Sequence, residues 1–111
     1  MNIDASRDTI RAIGAAIKLA ALLDDRVAQP DKARIAAWAE QVQRHRLTEQ
    51  DLLDAVQDFY DRGQDRAIGI GDMVDHGRAR KRARLEREPD EQREARQAER
   101  EAMAPGYARH R

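Results

Sequence analysis

Large apolar side chains are confined to the front of this chain. Of the 25 apolar residues bigger than alanine, 22 lie in residues 1–74, and only Leu85, Met103 and Tyr107 follow. A hydrophobic core can therefore form over about the first 75 residues and not beyond them. The other 20 apolar residues are alanines, and charged residues make up 38% of the 111 positions, against roughly a quarter in an ordinary globular domain. The pattern predicts one small folded unit over residues 1–77 and a charged extension over 78–111. The extension comprises a basic run at 78–84 and an acidic-mixed tail at 86–111. So small a core favours support from a partner or from self-association.

The spacing of the apolar residues is helical throughout. Ile10, Ile13, Ile17 and Ala20 recur at three and four residues behind Ser6, a good N-cap, and predict a helix over about 7–23. Leu19, Leu22 and Leu23 widen its stripe. Pro30 and Asp31 mark a second start, and Ile35, Trp38, Ala39 and Val42 give the inner face of a helix over about 31–44. Thr48, with Asp51 three residues on, opens a third helix. Its buried face is Leu52, Leu53, Val56, Phe59 and Tyr60, and Gly63 ends it. A loop carrying Ile68 and Ile70 folds back onto the core. A fourth helix starts near Gly71 and Asp72, contributes Met73 and Val74, and then leaves the core. No stretch alternates as a strand would. The expected fold is all-α, a compact bundle of about four helices. The tail beyond Glu86 either forms a helix over about 90–103 or stays disordered until a partner orders it, with Met103 and Tyr107 as candidate anchors.

Several functions are excluded or disfavoured. Without cysteine there is no disulfide framework, zinc ribbon or thiol nucleophile. The longest apolar stretch, residues 12–23, contains Lys18 and is too short to span a bilayer; no secretory signal is visible, and a cytoplasmic protein without membrane partners is expected. Gly69-Ile70-Gly71 lacks the further glycine and the Lys of a phosphate loop. His45, His76 and His110 are scattered, and Asp72, Asp75 and His76 are a weak ligand set on one helix start, so no metal, cofactor or catalytic residue is expected, and the chain reads as a non-enzyme.

Charge points to partners instead. The formal net charge is zero, yet residues 1–75 carry 14 acidic against 10 basic groups, 76–85 carry five basic groups alone, and 86–101 carry seven acidic against four basic. Arg78, Arg80, Lys81, Arg82 and Arg84 would encircle a helix and could meet nucleic acid phosphates or an acidic protein surface. The alternative is a solvated helix. No aromatic residue is interleaved, which argues against stacking on single strands. On the third helix Asp51, Asp54, Asp58 and Asp61 fall within about 80° of one another. This stripe could dock a basic partner, fold back against 78–84, or be a solvated face. It also disfavours a helix-turn-helix reading, because the would-be recognition helix has acidic groups and no Lys or Arg.

The sequence resembles small actinobacteriophage replication proteins grouped with the phage helicase loaders and inhibitors. The resemblance rests on Leu23-Asp24-Asp25-Arg26, on Trp38, on Asp51-Leu52, Ala55-Val56 and Phe59-Tyr60, and on Ile70-Gly71-Asp72-Met73-Val74 followed by an Arg-rich helix; it covers about residues 8–86. It implies a helical N-terminal domain associated with an initiator complex and a flexible C-terminal part that holds a replicative DNA helicase inactive until delivery. By position it makes Asp24, Arg26 and the 78–84 run candidate contacts, and Trp38, Val56, Phe59 and Tyr60 structural. The expected partners are thus a replicative helicase and an initiator. The alternative from the residues themselves is a nucleic-acid-binding accessory protein using 78–84 directly.

Overall fold

The structure, a computed structural model, describes residues 5–87 and 90–102. Among them are five helices and no strand: α1 Arg7–Leu23, α2 Lys32–Gln43, α3 Glu49–Asp61, α4 Ile70–Glu86 and α5 Asp90–Ala102. Residues up to Lys81 belong to one compact unit and those from Arg82 onward to another, so the division falls four residues beyond the expected boundary at 77. Met103 and Tyr107 lie outside the described residues.

Each of the first three helices starts on a capping side chain. Ser6 Oγ accepts from the Thr9 N–H, Asp31 from the Arg34 N–H, and Thr48 from the Asp51 N–H. At α3 the cap is reciprocal, since the Asp51 carboxylate accepts from the Thr48 N–H at 3.0 Å and completes a capping box. A lighter version opens α4, where Asp72 reaches back to the Gly69 N–H at 2.8 Å. Past Arg62, the C-cap of α3, Gly63 takes φ +65°, the left-handed conformation that lets the chain turn away.

Helix α1 is central and packs on both α2 and α3. Ala12, Ala16 and Ala20 recur every four residues along its buried face, flanked by Ile13 and Ile17, so the neighbouring backbones can come close. Ala39 and Val42 of α2, Leu52, Ala55, Val56 and Phe59 of α3, Ile68 and Met73 complete the core. Three expected core residues sit elsewhere. Leu22, 78% exposed, and Leu23 lie on the outside because α1 ends there, and Leu53 is only half-buried. Trp38 is half-buried at the edge of the core, with the Arg34 guanidinium over its ring at 5.9 Å.

Helix α4 does not leave the core after Val74. Gly77 is buried, and a Cβ there would lie 2.6 Å from Leu47 Cδ1. Gly77→Val should therefore cost about 1–1.5 kcal/mol in urea unfolding, because a branched side chain cannot be cleared by moving one terminal methyl group. Gly77→Ala should cost less, since Leu47 can swing that methyl aside and alanine favours the helix.

Candidate functional site

The face that keeps α4 on the first unit continues into the basic run. Met73 and Gly77 are four residues apart, and the next positions on that side are Arg80, Lys81 and Arg84. Arg80 clamps Asp58 of α3 with both nitrogens, Nε to Oδ2 at 2.6 Å and Nη2 to Oδ1 at 2.7 Å, and its Nη1 lies 3.9 Å from Asp54. The Arg80 hydrogen bond holds the Asp58 carboxyl below its ordinary range, and Asp58 in turn pushes the guanidinium up. Lys81 donates to the His45 carbonyl at 2.9 Å, capping the turn after α2.

Of the three readings of the acidic stripe, folding back against 78–84 is what the geometry displays for Asp54 and Asp58. Asp61 is exposed at the end of α3. Asp51 does not share their surface role: it is 3% exposed and locked into the capping box. The helical wheel grouped the four by angle, but the first turn of a helix turns an N3 carboxylate back onto its own backbone.

The five cations of the run are likewise divided. Arg80 and Lys81 are engaged within the first unit, and Arg84 is half-buried and also engaged. Arg78 and Arg82, one turn apart on the opposite side of α4, are exposed and make no ion pair among the described residues. Arg80→Ala should lower stability by at most about 1 kcal/mol, because both partners are partly solvated, and most of that loss should vanish at 1 M salt. Thermal melts at low and high salt measure it.

Asp24 and Arg26 are brought together in a second network. Asp24, the C-cap of α1, is 7% exposed. Its Oδ1 accepts from the Arg26 N–H and Nε, each at 2.9 Å, and its Oδ2 from Arg26 Nη2 at 3.1 Å and the Tyr60 hydroxyl at 2.7 Å. The Tyr60 oxygen accepts from the Ile68 N–H at 3.2 Å. One carboxylate thus ties the end of α1 to α3 and, through Tyr60, to the loop before α4. Hydrogen bonds from Arg26 first, then Tyr60, hold Asp24 far below the usual carboxylate range. Asp24 is thereby a structural hub, and of the ion pair it is the Arg26 side chain that reaches the surface.

That side chain borders a feature the sequence reasoning missed, an open cavity of about 200 Å³ walled by Trp38 and floored by Ile17, Ala20, Ile68 and Met73, with Arg26 and Arg34 on its lining. The Arg34–Trp38 spacing of four residues was the available signal, but periodicity alone assigned Trp38 to the core.

In the second unit α5 is polar on most of its surface; Arg93 donates to the carbonyls of Leu85 at 3.1 Å and Glu86 at 3.3 Å, covering the end of α4. No helix among the described residues is long and apolar enough to cross a membrane. In comparisons with protein-family models, curated proteins and solved structures, nothing matches the chain.

Proposed function

We propose that the chain is a non-enzymatic, protein-binding adaptor of phage DNA replication, of the helicase loader and inhibitor kind, acting in the cytoplasm of a bacterial host. In this reading the first unit engages an initiator and the charged second unit engages a replicative helicase. The observation that carries it over direct nucleic-acid binding is the internal use of the basic run. With Arg80 clamped on Asp58 and Lys81 on a backbone carbonyl, the five cations do not form one continuous strip for a phosphate backbone. The sequence resemblance over residues 8–86 supplies the helicase.

The test is capture of a purified host replicative helicase by the full chain and by a version ending at Arg87. The cut spares Arg80 and Lys81, which an end at residue 77 would remove. The full chain should capture the helicase and the shortened one should lose at least tenfold in affinity, with circular dichroism showing the first four helices intact. Equal capture by both, or by neither, overturns the reading. Nucleic-acid binding is checked in parallel. Arg78 and Arg82 alone would give a log–log salt slope no steeper than about −2 for duplex DNA, whereas five free cations would give about −4.5. A slope near the latter would favour the accessory-protein alternative.

A further inference from the structure

The cavity beside Trp38 has the chemistry of a receptor for an acidic peptide with one apolar anchor. It rests on core residues, with Ile17, Ala20 and Met73 at most 1% exposed, and the apolar surface it leaves open belongs to Trp38, Val27 and Ala67. Its volume of about 200 Å³ suits a single large side chain and falls short of the ~300 Å³ at which pockets for drug-sized ligands begin. Two guanidinium groups, Arg26 and Arg34, border this apolar hole. Arg34 is exposed, lies over the Trp38 ring, and has no carboxylate partner among the described residues. Arg26 is fixed by Asp24, which orients it while leaving about half of its side chain open to solvent.

An apolar pocket bordered by arginine is how protein surfaces receive a buried anchor flanked by carboxylates. We propose that this cavity is a docking site for a partner protein's acidic segment, which seats one large apolar side chain against Trp38 and Val27 and pairs a neighbouring carboxylate with Arg34. The complementary charge is the ground for choosing an acidic partner: Arg26 already holds the Asp24 carboxylate, but a basic or neutral segment would leave the Arg34 guanidinium facing it without gain. The chemistry of this partner does not depend on its being a helicase or an initiator.

Trp38 is the only tryptophan, so the full chain reports on its own pocket. The probe is an N-acetylated, C-amidated pentapeptide with one central phenylalanine between two aspartates and two glutamates, titrated while Trp38 emission is recorded. Two control peptides replace the acids by their amides or the phenylalanine by alanine. The acidic phenylalanine peptide should titrate saturably, and each control should bind at least about tenfold more weakly, the loss expected for charged hydrogen bonds or a buried aromatic anchor. Arg34→Gln, a surface change that spares the core, should weaken the acidic peptide about tenfold and leave the amide peptide unchanged.

Equal titration by the acidic and amide peptides, no saturable response, or an unaltered affinity in Arg34→Gln overturns the proposal. So does an affinity that rises in full-length Met103→Ala, which would mean that the chain's own tail is the occupant. Emission that tracks protein concentration together with dimerisation would assign the site to a second copy and overturn it equally.

Discussion

Replacing Phe59 with alanine should remove about 3–5 kcal/mol of unfolding free energy, a large part of the total for a domain of this size. Phe59 is 1% exposed and the largest fully buried side chain among the described residues. It meets Tyr60 edge-on at 4.9 Å and His76 at 6.2 Å, and the Arg66 guanidinium lies over its ring at 5.2 Å. That arginine is held in place by Asp72, whose carboxylate it grips through Nη1 and Nη2 at 2.6 and 2.9 Å. Truncation would therefore leave a cavity and remove the ring face on which Arg66 rests, while the Arg66–Asp72 pair stays. Urea unfolding followed by circular dichroism measures the loss. Phe59→Leu, which keeps most of the volume, should lose less than half as much. A loss below about 1 kcal/mol for the alanine variant would mean that the helices close around the gap.

The second large effect is expected in acid and centres on Asp24. Its carboxyl lies far below the usual carboxylate range because Arg26 and Tyr60 donate to it, and Asp58 and Asp72 are lowered by Arg80 and Arg66. Carboxylates lowered in the folded state stabilise it fully above their unfolded pKa. As pH falls toward and through that value, near 4, the unfolded chain takes up protons first and the stabilisation drains away. The melting temperature should accordingly be flat from pH 7 to about 5 and decline steadily below that. Asp24→Asn should melt lower at pH 7 and show a shallower acid decline than the wild type. Tyr60→Phe should cost about 2 kcal/mol at neutral pH, since it strips a donor from a buried carboxylate and leaves the Ile68 N–H without its acceptor. An acid profile in Asp24→Asn that parallels the wild type would place the acid sensitivity elsewhere.

The helices themselves were legible because they rest on local signals. Ser6, Asp31 and Thr48 are caps whose partners lie three residues away, and the apolar positions of α1 and α3 repeat at helical spacing. The departures come from what spacing does not contain. Leu22 and Leu23 share the composition of the core, yet the chain breaks at Asp24 before anything can cover them. Asp51 matches the wheel angle of Asp54 and Asp58, but its place in the first turn of α3 commits it to the cap. The candidate site was half legible. That the acidic stripe and the basic run carry opposite charge was plain; that Arg80, 22 positions from Asp58, completes the pair depends on α4 staying against α3.

By itself the sequence determined that the described residues form helices and no strand, where the first four helices lie, and that a core can exist only in the first two-thirds of the chain. These follow from short-range hydrogen bonding and from the number of apolar groups there are to bury. The tertiary structure alone decided which charges are engaged and which face outward. Arg80 and Arg82 are the same residue two positions apart, and no local rule separates them. One lies on the side of α4 that Met73 and Gly77 press onto the core, within reach of Asp58, and the other is exposed. Asp24 and Tyr60, 36 residues apart, meet only because α1 ends beside α3. Such pairings depend on helix packing, and packing is fixed by the shapes of all the buried side chains together.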